Sequence, residues 1–160
     1  MDGQNFAGHN GAGEPSPREN CFYPGFIPPA RPEQMPGMWQ RYYARWRVAT
    51  RDVLPLELLE LMPPLATFCP PAAIVDKTRH SAFAEPGLID HLRQRKADAL
   101  IVSGSETDVC VLATVLDAVD IGFRVIVVRD AVCSSSDEGH EMLMRRFLDA
   151  GLMRLKIKTD

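Results

Sequence analysis

Apolar and polar positions alternate along residues 72 to 158 in a way that predicts strands separated by helices. Short apolar runs rich in valine, isoleucine and alanine are typical of strands buried on both faces. Such runs lie at residues 72 to 76, 97 to 102 and 124 to 128, and an alternating run at residues 153 to 158 suits an edge strand. Helical periodicity fills the segments between them, at residues 86 to 96, 107 to 120 and 137 to 150. This order predicts a three-layer α/β/α fold, with helices on both faces of a mostly parallel sheet.

Residues 1 to 37 form a glycine- and proline-rich arm that we expect to be irregular. The first 38 residues hold seven prolines and six glycines, whereas the remaining 122 hold six and five. Prolines and glycines at this density interrupt helices and strands alike. We therefore predict one domain over residues 1 to 160, with the arm as its irregular N-terminal part.

After the arm, aromatic residues at helical spacing predict an amphipathic helix from Met38 to about Thr50. Its stripe consists of Trp39, Tyr42, Tyr43 and Trp46. The stripe could cover an active site, pack in the core or form a subunit contact, and large aromatic side chains favour the last two uses. A second helical piece at residues 56 to 62 is expected to end at Pro63-Pro64.

Composition and charge exclude several classes of partner. The chain is 46% hydrophobic, and its 18 basic and 21 acidic side chains give a net charge of -3, with no basic run that would bind nucleic acid or anionic lipid. Its apolar runs are far shorter than the ~20 residues that a membrane-spanning helix needs. No secretory signal is readable in residues 1 to 20, so we expect a cytoplasmic protein. The four cysteines have neither disulfide nor zinc-site spacing and are expected to be free thiols.

Polar residues follow each predicted buried strand, which is where open parallel sheets bind their ligands. These segments are Asp76-Lys77, residues 103 to 110 and residues 130 to 136. A solvated loop lysine is the plain interpretation of Lys77, and a turn cap is that of Asp130. The position of Lys77 or Asp130 alone therefore does not indicate a catalytic role; that depends on the residues around it.

Cys110 is the most informative of these residues because it lies in the first turn of a predicted helix that Ser105 or Thr107 can cap. First-turn amides have no intrahelical acceptor and the helix dipole is positive there, so a thiolate or an oxyanion is stabilised. Most lone cysteines are small buried hydrophobes instead. Cys110, however, lies off the centre of the apolar stripe of its helix, which favours a nucleophile. That stripe consists of Val109, Leu112, Ala113 and Leu116.

Three separated motifs resemble a known family. They are KTRHSAF at residues 77 to 83, GSETDVCVLAT at residues 104 to 114, followed by Ala118 and Gly122, and DAV at residues 130 to 132. In this order, over roughly residues 72 to 150, they resemble the isochorismatase-like cysteine hydrolases. The resemblance implies a catalytic triad of aspartate, lysine and cysteine, in which Cys110 is the nucleophile and Lys77 the lysine. It also implies a cis peptide bond between Ser105 and Glu106, with the amides of Glu106 and Cys110 forming an oxyanion hole.

The resemblance places the aspartate of the triad at Asp2, within the segment DGQNF at residues 2 to 6. In the family this aspartate ends a buried strand, and a helix and a second strand follow before the region that resembles residues 25 to 29. Residues 6 to 23 are too few to form both elements. Either the chain is a shortened or rearranged family member whose sheet lacks N-terminal strands, or the match at Asp2 is accidental.

The resemblance also implies the reaction and the partners. Relatives that act on isochorismate work without this cysteine, so Cys110 indicates hydrolysis of a carbon–nitrogen bond in a small amide or ureide through a covalent acyl-enzyme. Some relatives bind a metal near the aspartate, but only His9 lies there, and His80, His91 and His140 are too scattered for a ligand set. We expect no metal or other cofactor, surface roles for His91 and His140, and a homo-oligomer, dimeric or tetrameric.

Two other functions stay open at this point. The chain could be a catalytically impaired or silent family member that acts only in assembly or binding, which applies if Asp2 does not reach Cys110. A thiol redox sensor at Cys110 ranks last, because no resolving cysteine is close in sequence.

Overall fold

The computed structural model describes residues 17–149 and 153–155. Helices and strands alternate in most of this part of the chain. In chain order they are β1 (Phe22–Phe26), α1 (Gly37–Arg45), α2 (Pro63–Ala66), β2 (Ala73–Lys77), α3 (Pro86–Gln94), β3 (Ala99–Ser105), α4 (Leu112–Ile121), β4 (Arg124–Cys133), α5 (Asp137–Asp149) and β5 (Met153–Leu155). Single 3₁₀ turns lie at Pro17–Asn20, Pro32–Gln34, Arg47–Ala49 and Leu56–Leu59.

All strand pairs in the described part of the chain are parallel, which confirms the predicted α/β class. β1 pairs with β2, and β3, β4 and β5 pair in that order. These strands form two sheets of two and three strands, where the sequence predicted one sheet. No strand among the described residues bridges the two.

Two apolar clusters form the core. The larger lies between α4, β4 and α5, and its most buried members are Val115, Ala118, Val127, Met144 and Phe147. The smaller joins β2 to α3 through Val75, Ala82, Leu88 and Leu92. Phe83 and Phe123 pack against both clusters, with ring centroids 6.0 Å apart. The two sheets therefore share a continuous apolar interior, which holds the loop after β2 close to the start of α4.

Helix ends follow the local signals in the sequence. Pro86 is the first residue of α3, where its lack of an amide hydrogen costs no hydrogen bond. Gly122 ends α4 with a φ of 106°, a backbone conformation that side chains disfavour. In the described ranges, 17–149 and 153–155, no helix is both long and apolar enough to cross a bilayer.

The prediction of an irregular arm up to residue 37 was wrong for β1. Pro24 and Gly25 suppressed the strand signal, because both residues are rare inside strands. Parallel pairing with β2 nevertheless satisfies the backbone, and the Ile27 amide continues the ladder by donating to the Lys77 carbonyl at 2.8 Å. Asp2 and His9 lie outside the described residues.

Other boundaries also differ from the predictions. Pro63 begins α2, although we expected Pro63-Pro64 to end a helix, and residues 56 to 62 hold only a 3₁₀ turn. β3 and β4 extend beyond their apolar runs to Ser105 and Cys133, which pair with each other after a shift in register. Backbone pairing at these strand ends does not depend on apolar side chains, so the pattern of apolar residues could not predict the longer strands.

Candidate active site

Cys110 lies in the turn that connects β3 to α4. The peptide bond between Ser105 and Glu106 is cis, the geometry that the resemblance implied. The chain then forms one π-helical turn, Thr107–Val111, in which the Val111 amide donates to the Glu106 carbonyl at 3.0 Å. Cys110 is a partly buried free thiol, as expected for all four cysteines. It therefore sits in the first turn of a helical segment, as the sequence predicted.

The Cys110 thiol faces an imidazole that comes from another loop. Cys110 Sγ lies 3.9 Å from His80 Nδ1, and His80 belongs to the segment between β2 and α3. Partial burial, and then the positive charge of Lys77, lower the pKa of His80 below its usual value. A lowered pKa favours the neutral imidazole, which can accept a proton.

Lys77 is the last residue of β2, and its side chain is only 4% exposed. Its ammonium donates to the carbonyls of Arg79 at 3.0 Å and His80 at 2.6 Å, and lies 5.2 Å from the centroid of the Phe26 ring. No carboxylate among the described residues forms an ion pair with it. A buried ammonium is costly unless its charge is compensated, and the two carbonyls that bind Lys77 are neutral.

The hydroxyl of Thr114 connects the two loops that carry the site. It accepts a hydrogen bond from the Ala82 amide at 3.0 Å and donates one to the Cys110 carbonyl at 2.7 Å. Ala82 is 1% exposed, so its amide has no access to water. This bridge fixes the loop that carries Lys77 and His80 against the turn that carries Cys110.

Helix α1 supplies an aromatic wall beside His80. The Trp39 ring lies 4.8 Å from the His80 ring and 6.3 Å from that of Phe26. The Arg79 guanidinium lies over the Trp39 ring, 5.8 Å from its centroid. Tyr43, stacked on Trp39, is buried, and burial raises its pKa to about 12. The aromatic stripe thus contributes to both the core and the site, whereas the sequence favoured core or interface alone.

Glu106 uses its carboxylate to bind the loop between β4 and α5. Oε2 accepts hydrogen bonds from the amide of Ser135 at 2.8 Å, its hydroxyl at 2.9 Å and the Ser134 hydroxyl at 3.1 Å. These bonds, those of Ser135 first, hold the pKa of Glu106 below its usual value. The single Ser134 hydroxyl hydrogen is shared with Asp108, whose Oδ1 is its other acceptor. The carboxylates of Glu106 and Asp108 thus both accept hydrogen bonds from serines of the loop after β4.

The structure brings together some of the predicted site residues and leaves others apart. Lys77 and Cys110 meet at His80, a contact that the sequence did not predict. Its place in the KTRHSAF motif, three residues after Lys77, was the available signal. Asp130 is exposed on β4. His91 is exposed on α3, as expected, whereas His140 is partly buried with Nδ1 3.0 Å from the Thr107 hydroxyl.

The described residues contain no group of three or more histidine, cysteine, aspartate or glutamate side chains arranged to hold a metal ion. The expectation of a metal-free site stays a prediction, because Asp2 and His9 lie outside those residues.

Comparison with known proteins identifies the family. Residues 22–155 match the model of the isochorismatase domain, most of the chain. The chain belongs to the isochorismatase family. This family member is 42% identical over 76 residues to an uncharacterized isochorismatase family protein, PncA, of Bacillus subtilis strain 168, a match that covers 48% of this chain and 42% of that protein.

One further curated relative and one solved structure carry names that state an activity. The maleamate amidohydrolase of Pseudomonas putida is 34% identical over 84 residues, covering 49% of this chain and 39% of that protein. The crystal structure of the nicotinamidase/pyrazinamidase PncA from Bacillus subtilis superposes with a TM-score of 0.52 at 28% identity, covering 76% of this chain and 56% of that one. The chain spans less than half the length of the curated relatives described here.

Proposed function

We propose that this chain is a cysteine-dependent hydrolase that cleaves the carbon–nitrogen bond of a small amide or ureide. The observation that carries the proposal is the position of Cys110 Sγ, in the first turn of a helical segment and 3.9 Å from His80 Nδ1. The thiol lies at the N-terminal end of a helical segment and faces the His80 imidazole. The buried Lys77 ammonium lies close to that imidazole. This set of groups favours a thiolate nucleophile.

The proposed reaction proceeds in two steps. Cys110 Sγ attacks the carbonyl carbon as its proton leaves, and a C–S bond forms. The C–N bond then breaks, and the nitrogen leaves as ammonia after it gains that proton. Water adds to the resulting thioester, releases the carboxylic acid and returns the proton to the thiol.

The amides of Glu106 and Cys110 are proposed to stabilise the oxyanion of each tetrahedral intermediate. Removing one such donor in other hydrolases costs roughly 10²–10³ in kcat. The Glu106 carboxylate already accepts hydrogen bonds from Ser134 and Ser135. The proposed contact of Glu106 with the substrate is therefore made by its backbone amide.

A carboxylate is proposed to compensate the buried charge of Lys77. The resemblance assigns this role to the triad aspartate, for which Asp2 is the candidate. The support in the structure is the Lys77 ammonium, which is 4% exposed and bound to two neutral carbonyls. A negative charge at this point would hold the lysine in place and share the proton transfers of the reaction.

The names of the relatives favour an amide as the substrate. One is an amidohydrolase of maleamate and another a nicotinamidase/pyrazinamidase, so both act on small primary amides. The wall formed by Trp39 and Phe26 beside His80 suits the flat apolar part of such a molecule.

Ammonia release from a panel of small amides and ureides tests this function. We expect release by the wild-type chain and at least a roughly hundredfold loss in Cys110→Ala, since the nucleophile is absent. Cys133→Ala is the matched control, because Cys133 is an exposed free thiol at the end of β4, and it should keep full activity. A chain that folds but releases no ammonia from any compound would favour the silent family member.

A further inference from the structure

We infer that the Glu106 carboxylate is a positioning group, which fixes the Glu106 amide for the oxyanion by binding Ser134 and Ser135. The inference deepens the proposed hydrolysis and rests on its oxyanion hole. The Glu106 amide has no hydrogen-bond acceptor among the described residues, so its N–H is available to a ligand. Such a donor stabilises an oxyanion best when it is already aimed at the place where the charge develops. The contacts that fix this amide therefore affect the rate.

The pairing of β3 with β4 brings the loop after β4 to the side of Glu106. Ser105, the last residue of β3, pairs with Cys133, the last residue of β4. The residues that follow, Glu106 and Ser134, therefore leave the two strands side by side. Backbone pairing sets this arrangement, and the Glu106 side chain then binds the loop directly.

Three hydrogen bonds converge on one oxygen of the Glu106 carboxylate. Oε2 accepts from the Ser135 amide at 2.8 Å, the Ser135 hydroxyl at 2.9 Å and the Ser134 hydroxyl at 3.1 Å. The Glu106 carbonyl accepts from the amides of Val109 at 3.2 Å and Val111 at 3.0 Å. Two different segments of the chain thus hold Glu106, one at its carboxylate and one at its carbonyl. A shift of the Glu106 main chain would break bonds to one segment or the other.

The two residues after Glu106 bind the same part of the chain. Thr107 is fully buried, and its hydroxyl lies 3.0 Å from His140 Nδ1 in α5. Asp108 shares the Ser134 hydroxyl with Glu106. These contacts hold the start of the cysteine-bearing turn against the loop after β4 and the first turn of α5. Of the three residues, Glu106 is the one with an amide in the proposed oxyanion hole, so its bonds bear on the reaction.

An ionised carboxylate is needed to make the full set of bonds at Glu106. It has acceptors alone, whereas a glutamine amide has one acceptor oxygen and an NH2 group that cannot accept from the serines. The hydrogen bonds of Ser135, and then that of Ser134, hold the pKa of Glu106 below its usual value, so the group is charged at neutral pH. Glutamine at this position should therefore retain part of the positioning, and alanine none.

Reversible binding of propanal to Cys110 tests the inference without hydrolysis. The thiol adds to the aldehyde carbonyl, a C–S bond forms, and the thiol proton passes to the aldehyde oxygen, which then lies where the oxyanion would lie. A thiol that holds propanal does not react with iodoacetamide. The alkylation rate of Cys110 at rising propanal concentrations therefore gives the dissociation constant of propanal. Mass spectrometry of peptides follows Cys133, an exposed thiol of the same molecule, as the internal reference.

We expect propanal to bind Cys110 about tenfold or more weakly in Glu106→Ala than in the wild type. Loss of one oxyanion donor costs roughly 10²–10³ in kcat, and here the donor is displaced and not removed. Glu138→Gln, which removes a charge from an exposed residue of α5, is the control and should bind propanal as the wild type does. The dissociation constants at Cys133 should be equal in all these proteins. Equal constants at Cys110 in Glu106→Ala and the wild type would overturn the inference.

Glu106→Gln keeps the test valid if Glu106→Ala does not fold. It retains an acceptor oxygen and the length of the side chain, so we expect propanal to bind Cys110 about threefold more weakly, as for the loss of one hydrogen bond. With an amide that the wild type hydrolyses, kcat of this variant should fall by a similar factor while KM changes less, because the bound amide does not yet carry the charge. Wild-type propanal binding and kcat in Glu106→Gln, or a loss confined to KM, would contradict the inference.

Ammonia release distinguishes failure of this inference from failure of the proposed function. If release depends on Cys110 and Glu106→Ala binds propanal as tightly as the wild type, the hydrolase stands and the positioning role of Glu106 is wrong. If Glu106→Ala weakens propanal binding at Cys110 but the wild type releases ammonia from no amide, the positioning role stands and the proposed function is wrong. Propanal binding at wild-type Cys110 that is no tighter than at Cys133 would contradict both, because the oxyanion hole would be absent.

Discussion

At the scale of single residues, Lys77 and Glu106 each have two roles in the site, one electrostatic and one structural. Lys77 acts on His80 through its charge and holds the loop through two carbonyls. Glu106 offers its main chain to the proposed oxyanion hole while its carboxylate binds two serines. A substitution at either residue therefore changes both geometry and electrostatics.

Glu106→Gln tests the structural part of this arrangement. The pKa of Glu106 is lowered in the folded chain, so its stabilisation is present above the usual carboxyl range and is lost as pH falls through the folded value. We expect the free energy of unfolding of the variant to be lower by about 0.5 kcal/mol at pH 7, a small effect because Glu106 is only partly buried and solvent screens its charge.

Urea unfolding at pH 7 and pH 3, with Glu57→Gln as a control on an exposed glutamate, measures this effect. The difference between wild type and Glu106→Gln should shrink at pH 3. A difference that grows on acidification would show that the serines do not stabilise the charged form.

The sequence could predict Cys110 and Lys77 as site candidates because each lies at or shortly after the end of a strand, and strand ends are local features. It could not predict that His80 meets Cys110, because the contact spans 30 residues and depends on how two loops pack. The position of Trp39 over His80 was inaccessible for the same reason. Helical periodicity shows which residues share a face but not which surface that face meets.

At the scale of elements, the Thr114 hydroxyl connects the loop between β2 and α3 to the π-helical turn Thr107–Val111, which carries Cys110. It bonds the buried amide of Ala82 and the carbonyl of Cys110. Both bonds depend on one oxygen atom. The relative position of His80 and Cys110 therefore depends on a side chain that bonds only to main-chain atoms of these two segments.

Thr114→Val removes that oxygen and keeps the shape of the side chain. The Ala82 amide then lacks an acceptor, which should cost about 1–3 kcal/mol of unfolding free energy. We also expect iodoacetamide to alkylate Cys110 at a changed rate, because the Cys110 carbonyl loses the hydroxyl that binds it to the neighbouring loop. Thr114→Ser retains the hydroxyl and should keep most of both properties. Thermal unfolding and alkylation rates provide the comparison, and a Thr114→Val protein as stable and reactive as wild type would refute the bridge.

Helices that begin with proline or end with glycine were predictable from the sequence. Pro86 and Gly122 bound α3 and α4 as expected, because their backbone preferences act locally. β1 was missed because its pairing with β2, and not its own residues, makes Phe22–Phe26 a strand. The extension of β4 to Cys133 is likewise a consequence of pairing with Ser105.

At the scale of the whole molecule, several large apolar side chains remain exposed. They concentrate in one stretch of the chain, which includes Tyr42, Trp46, Val48, Leu56, Leu58 and Met62. Ile74 on β2 and Ile101 on β3 are also more than half exposed, although both lie on strands that an α/β fold normally covers. The alternation of elements predicted the fold class, but it could not predict two separate sheets among the described residues.

This exposed apolar surface supports the prediction that the chain forms a homo-oligomer, because surfaces of this kind are typical of subunit contacts. We expect a dimer or tetramer of the 17.8 kDa chain. Light scattering coupled to size-exclusion chromatography measures the mass directly. A monomer at micromolar concentration would contradict the expectation, and dilution across this range would show whether the assembly is reversible.

Intact-protein mass spectrometry of acid-quenched turnover shows whether Cys110 carries the substrate as a thioester. With an amide that releases ammonia, we expect a population of the protein that is heavier by the mass of the substrate minus ammonia. The added mass should map to the peptide that contains Cys110 and be absent from Cys110→Ala. Steady ammonia release by a protein that carries the added mass on another residue, or by Cys110→Ala itself, would show that Cys110 is not the nucleophile.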